Sequence, residues 1–238
     1  MNSNDMRNAF AIEIQTAHPD SRRARSLTPA VVVQGDWDVF SRGTRAMTAW
    51  ISMISDEEAG PELRDVLTLA RTPHGTVDNV MRVHSHRPST MRGHVVLYRA
   101  ALHDPANTLP TWLQEVISSW VSILNDCPYS LANHWTNAAH LIGDADRAEE
   151  IRAALDQRRP QDVFDGRELA LMEYTEKLTL RPGQMCQSDV QALRDAGLDD
   201  GEILEANQII GYFNYVNRLL NGLGVTTDGD VVGYYKKD

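Results

Sequence analysis

The stretch Asn125-Asp126-Cys127-Pro128-Tyr129-Ser130-Leu131-Ala132-Asn133-His134, with Glu115 upstream of it, decides how the chain is read. Proline fits the first turn of a helix, so the chain is expected to restart in a helix at Pro128, with Cys127 as its N-cap. A sulfur there faces unpaired backbone N–H groups at the positive end of the helix dipole, which predicts a thiol shifted toward thiolate. At about 100° per residue, positions 127, 130 and 134 fall on one helix face. Cys127, Ser130 and His134 are therefore expected to converge, with His134 placed one turn on to take or give a proton. Glu115 lies in the preceding apolar stretch, expected to run antiparallel and to hold or polarise His134. The candidate catalytic residues are thus Glu115, Cys127, Ser130 and His134, the parts of an acid–base site. The plainer alternative is that Cys127 is only core and His134 only a hydrogen-bonded core histidine.

Working outward, the helical period dominates from about residue 50. Pro61 opens one helix, with Leu63, Val66, Leu67 and Ala70 on a stripe; Val77, Val80, Met81 and His84 give a short second one. Pro88 starts a third through Met91, Val95, Tyr98 and Leu102, and Pro110 a fourth. The fourth is apolar around much of its circumference (Leu113, Val116, Ile117, Trp120, Val121, Leu124), which predicts a central, buried helix. The fifth runs from Pro128 to about Leu141, Asp144 caps a sixth, and Asp165-Gly166-Arg167-Glu168 precedes a seventh. An eighth begins near Ser188, and a last long helix runs from about Asp200 to Leu223, stopped by Gly222 and Gly224. The fold class is all-α, with residues 49–238 forming one helical domain. Residues 1–48 read as an N-terminal extension: Arg22, Arg23 and Arg25 form a solvated turn, and Val31-Val32-Val33 is either a strand or an extended arm.

Composition narrows the partners. With 33 acidic and 23 basic residues the formal charge is −10, and no basic stripe is present, so nucleic acid and anionic membrane are poor partners. No apolar run approaches a membrane span, and no secretory signal is visible, so a cytoplasmic protein is expected. Two cysteines, Cys127 and Cys186, exclude a disulfide scaffold and a four-cysteine zinc site. His84, His86 and His94 make a poor ligand set, because residues two apart on a helix diverge. No metal or other cofactor is called for. His140 is off the face of His134, and Gly-x-Ser-x-Gly is absent, so Ser130 is not an α/β-hydrolase nucleophile. Trp112, Trp120 and Trp135 are expected in the core or at an interface, with one of them available to wall a pocket.

The spacing Glu115-x11-Cys127-x2-Ser130-x3-His134 resembles the Glu-x11-Cys-x2-Cys-x3-His signature of the carboxymuconolactone decarboxylase / alkylhydroperoxidase AhpD-like superfamily. Val83-His84-Ser85-His86-Arg87-Pro88 with Leu97-Tyr98-Arg99-Ala100, and Gly211-Tyr212-Phe213-Asn214-Tyr215-Val216-Asn217-Arg218, are similar to its peroxidase-related group. The resemblance implies an AhpD-like helical fold and a homo-oligomer. It also implies that Glu115 and His134 relay a proton and that Cys127 sits at the resolving thiol's position. The attacking thiol's position holds Ser130, which cannot form a sulfenic acid. Cys186 is a helix-start residue and not its replacement.

Three functions follow. The first is a thiol-dependent peroxidase-type oxidoreductase with a degenerate Cys-x-x-Ser motif, taking a hydroperoxide and recycled by an external thiol reductant. The second is a cofactor-free decarboxylase, lyase or isomerase that uses Glu115 and His134 as acid and base on an organic acid, with Ser130 donating a hydrogen bond. The third is a non-catalytic relative that binds a small molecule.

Overall fold

The computed structural model describes residues 48–235. Among these, nine α-helices run in order: α1 (Pro61–Leu69), α2 (Asn79–Arg82), α3 (Pro88–Leu102), α4 (Thr111–Leu124), α5 (Pro128–Ile142), α6 (Ala145–Asp156), α7 (Gly166–Leu180), α8 (Gln187–Asp195) and α9 (Asp200–Leu223). Single 3₁₀ turns lie at Pro160–Asp162 and Pro182–Gln184, and the described residues contain no strand. The arginine turn and valine run expected in the N-terminal extension lie outside the described residues. No described helix is long and apolar enough to cross a membrane.

The sequence places α4 at the centre, and there it is: every residue from Leu113 to Ser122 is buried. It packs against α5, α7 and α9. Three serines make this packing possible without stranding their hydroxyls. Ser118, Ser119 and Ser122 each return a hydrogen bond to the carbonyl four residues earlier, at 2.7, 2.8 and 2.8 Å. Trp120 is fully buried, and its Nε1 donates to the Met172 carbonyl of α7 at 3.1 Å. A second apolar cluster is formed by Leu63, Val66 and Leu67 of α1, Met81 of α2, and Met91 and Val95 of α3.

Helix ends follow local chemistry. Pro61, Pro88 and Pro128 each open a helix, and Pro110 instead occupies the N-cap of α4. Asp144 caps α6 through the Arg147 N–H. Asp199 and Glu202 cap α9 reciprocally, at 2.8 and 3.0 Å. Cys186 is the N-cap of α8, and its N–H is held by Asp189. The second short helix is cut to Asn79–Arg82, leaving Val77 and His84 outside it. Gly224 ends α9 in the left-handed region, φ 57°, and a Cβ there would collide with the Trp50 indole, so only glycine suits. From there the chain runs on without helix to residue 235.

The α4–α5 turn sets the register of the site. Asp126 takes a left-handed φ of 49°, and the Cys127 N–H donates back to the Ser122 carbonyl at 2.9 Å. Asn221 of α9 donates to the Asn125 carbonyl at 3.0 Å and lies 3.3 Å from that of Asp126. The chain therefore doubles back within three residues and lays α5 along α4.

Trp120→Ala should cost about 3–5 kcal/mol, because it removes the largest buried side chain and its hydrogen bond to the Met172 carbonyl. Urea denaturation checks it; a loss under about 1 kcal/mol would mean that α4 is not the packing centre.

Candidate active site

Glu115 of α4 has 1% of its side chain exposed. A carboxyl taken out of water needs partners for its oxygens. His134 supplies one: its Nδ1 lies 2.7 Å from Glu115 Oε2. Asn137, one turn further along α5, supplies the other, donating from Nδ2 to Oε1 at 3.2 Å. With Nδ1 turned to the carboxyl, Nε2 is the nitrogen His134 offers to a substrate. Phe213 of α9 holds the ring edge-on, with centroids 4.5 Å apart.

A cavity of about 90 Å³ lies beside this pair. It sits on the seam between the α1–α3 cluster and the α5–α9 side, and is lined by Ser130, Asn133, His134 and Asn137 from α5 and by Tyr212, Val216 and Leu220 from α9. Val80, Met81, Val95 and Tyr98 face them, with Arg71 and Arg99 also in the wall. Among the described residues no tryptophan lines it. Trp120 is core, Trp135 lies under the Arg152 guanidinium at 5.6 Å, and the aromatic walls are Tyr98, Tyr129, Tyr212 and Tyr234.

The structure divides the four residues expected to converge. Ser130 and His134 both line the cavity, and Glu115 stands behind His134. Ser130 Oγ lies 2.8 Å from Ser122 Oγ, and because the Ser122 proton goes to the Ser118 carbonyl, Ser130 is the donor of this pair and keeps its lone pairs for a ligand. Cys127 does cap α5, yet it is 1% exposed, packed in the main apolar core, and outside the cavity wall. The expected acidic thiol is corrected here. Burial pushes the Cys127 thiol up to about 11, and the backbone N–H groups of Ser130 and Tyr129 offset this only in part. Desolvation outweighs the helix terminus because this N-cap is covered and water cannot reach the sulfur.

The three histidines read as poor ligands do not converge either. His86 bonds to the Ser52 carbonyl at 2.9 Å, and only His84 and His94 meet, at 2.9 Å. His140 stacks on Tyr235, 5.9 Å between centroids.

Sequence reasoning missed the C-terminal segment that forms part of the cavity wall. Asp230 accepts from the Tyr129 hydroxyl and from the Asn79 N–H at 3.0 Å. Asn79 Nδ2 donates to the carbonyls of Thr226 and Asp228. The N–H groups of Gly233 and Tyr234 donate to Asn133 Oδ1 and Asn137 Oδ1, at 3.1 and 2.7 Å. Tyr234 then stacks on His103, centroids 4.4 Å apart, and covers the cavity. Burial lowers His103, against an upward pull from Glu115. The available signal was Gly233-Tyr234-Tyr235, an aromatic pair behind a flexible hinge residue. Asp78, also in the wall, has one carboxyl oxygen buried without a partner. Burial, and then the charge of Asp230, raise it to about 6.

No protein-family model matches the sequence, and no curated protein matches it. Solved structures do match in fold. An uncharacterized peroxidase-related protein from Silicibacter sp. TM1040 superposes with a TM-score of 0.67 at 20% identity, covering 79% of this chain and 97% of its own. An alkylhydroperoxidase AhpD core protein from Ralstonia eutropha JMP134, also peroxidase-related, gives 0.66 at 19% identity, covering 77% and 94%. The debrominase Bmp8, solved in complex with 2,3,4-tribromopyrrole, gives 0.61 at 15% identity, covering 75% and 91%. The fold is therefore AhpD-like and all-α, as the resemblance implies.

Two outcomes follow from the titrating groups. Iodoacetamide at about pH 8 should modify exposed Cys186 and spare Cys127 in the folded protein, read by mass spectrometry. Cys127 labelling at a rate equal to Cys186 would reinstate the acidic thiol. Asp78 binds its proton more tightly folded (about 6) than at its ordinary value of 3.8. Its contribution to stability is therefore full below the lower value and is lost as pH rises through the higher one. In Asp78→Asn, melting temperature should lose this fall between those two pH values; an unchanged profile refutes the assignment.

Proposed function

We propose that the chain is a cofactor-free acid–base catalyst acting on a small organic acid, an oxo or lactone acid, with Glu115 and His134 as its working pair. The observation that carries this reading is the 2.7 Å contact between a buried carboxyl and an imidazole that lines a cavity. His134 Nε2 takes a proton from the substrate. Glu115 fixes the tautomer and stabilises the imidazolium that forms, and Asn137 fixes Glu115. Ser130, whose own proton goes to Ser122 Oγ, offers its lone pairs to a donor group of the substrate. Arg71 and Arg99 in the wall complement a substrate carboxylate. No step uses Cys127.

The thiol-peroxidase reading is the second one, favoured by the motif spacing and by the peroxidase-related solved structures of like fold. It needs Cys127 as the redox thiol, an external reductant and a route for peroxide to a sulfur outside the cavity wall. Those demands place it behind the acid–base reading.

Turnover of a panel of oxo and lactone acids should survive Cys127→Ser. It should fall about 10²–10⁴-fold in Glu115→Gln or His134→Gln, with the double variant little worse than either. Hydroperoxide turnover that disappears in Cys127→Ser would overturn the proposal in favour of the thiol reading. Ser130→Cys separates the two again: it should lower acid turnover, whereas a peroxidase scaffold should gain hydroperoxide turnover together with a disulfide to Cys127.

A further inference from the structure

Two buried histidines stand outside the Glu115–His134 pair. His84 and His94 are 8% and 2% exposed, and they lie in an unbroken chain of hydrogen bonds. Tyr212 Oη is 2.8 Å from His94 Nε2, His94 Nδ1 is 2.9 Å from His84 Nε2, and His84 Nδ1 is 3.1 Å from Thr90 Oγ1. The inner end, Tyr212, lines the cavity, and the outer end, Thr90, is exposed.

The direction of the chain is fixed at its outer end. Thr90 Oγ1 lies 2.8 Å from the Arg87 carbonyl, which can only accept, so the Thr90 hydroxyl donates there. His84 Nδ1 must then carry hydrogen toward Thr90, leaving Nε2 to accept from His94 Nδ1–H. His94 Nε2 accepts in turn from the Tyr212 hydroxyl. Every donor points from the cavity toward solvent, and Tyr212 Oη keeps its lone pairs for the cavity. Burial holds both rings neutral, lowering His84 and bringing His94 down to about 3. An apolar pair would fill this core at no polar desolvation cost, so packing alone does not call for two imidazoles in series.

We propose that Tyr212, His94, His84 and Thr90 form a proton conduit between the cavity and solvent, resting on the acid–base reading of Glu115 and His134. A proton released in the cavity binds Tyr212 Oη as the Tyr212 hydroxyl proton passes to His94 Nε2. The His94 Nδ1 proton passes to His84 Nε2, the His84 Nδ1 proton to Thr90 Oγ1, and the exposed Thr90 hydroxyl turns from the Arg87 carbonyl to give its own proton to water. Each ring ends neutral with its hydrogen on the other nitrogen, and one proton entering by the same path resets the chain. One proton out and one in is the balance of exchange at an enolisable carbon. Tyr212 touches the cavity; His94, His84 and Thr90 act through it.

The test is deuterium uptake by levulinate, an oxo acid, and by paraconic acid, a lactone acid, in heavy water, followed by proton NMR on the full chain. The wild type should exchange at least one of them, and Glu115→Gln should abolish it. Tyr212→Phe, which removes one oxygen and keeps the ring, should slow exchange on the order of tenfold or more. His94→Gly should slow it similarly, and added imidazole should restore it several-fold, which a merely structural role would not allow. If Glu115→Gln abolishes exchange while Tyr212→Phe exchanges at the wild-type rate, the conduit is overturned and the acid–base pair stands. Failure of imidazole to restore a folded His94→Gly protein also overturns the conduit. If the wild type exchanges neither acid, or Glu115→Gln exchanges normally, the acid–base reading falls and the conduit falls with it.

Discussion

A carboxyl with 1% of its side chain exposed has to be satisfied inside the protein, and Glu115 recruits much of the molecule to that end. Its two oxygens face α5, so α5 must lie antiparallel to α4 at one register only. The turn through Asp126 and Cys127 sets that register, and Asn221 of α9 locks the turn. The partner that satisfies Oε1, Asn137, is itself oriented by the Tyr234 N–H of the C-terminal segment. A shift of α5 by one residue would turn His134 and Asn137 away and leave the carboxyl unpaired, at a cost of several kcal/mol. The site and the fold are in this sense one constraint.

The cavity wall explains why serine suits position 130. Its hydroxyl meets the cavity on one side and the central helix α4 on the other. The hydroxyl proton needs an acceptor, and Ser122 Oγ provides one from the central helix. The Ser122 hydroxyl links Ser130 to the Ser118 carbonyl of the α4 backbone, so Ser130 is braced from behind. Cys127 serves the fold by capping α5 and filling the core, work for which an inert thiol is adequate.

Much of this was legible in the sequence, and the reasons are specific. The helices with Pro at the first turn, or with an Asp cap, come out where spacing puts them, because those signals act over a few residues. The all-round apolar character of Leu113 to Leu124 correctly marks the buried helix. Glu115, Ser130 and His134 come near one another because they sit on two helices joined by a short turn. What failed was whatever depends on long-range cover. The helix-terminus argument for Cys127 is sound for an open N-cap and wrong for one roofed by the core. Asn137, Tyr234 and His103 carry no periodic signal that ties them to Glu115; a segment about 100 residues downstream brings them together. His84 and His94 were weighed as metal ligands because spacing says nothing of Tyr212, which lies on α9.

The Asn137 amide has one further consequence, for chemical ageing. Its two ends are opposite in kind: the nitrogen must give to Glu115 and the oxygen must take from Tyr234. Hydrolysis of that amide to an acid leaves the oxygen's task intact and inverts the other. A second carboxyl would then face Glu115 in a buried site, where two like charges cannot both persist and one must hold a proton. The damage would be silent in shape and mass change would be under one part in twenty thousand, on the order of one dalton. Its position inside α5 protects it, because the ring closure that starts such hydrolysis needs a backbone freedom that a hydrogen-bonded helix withholds.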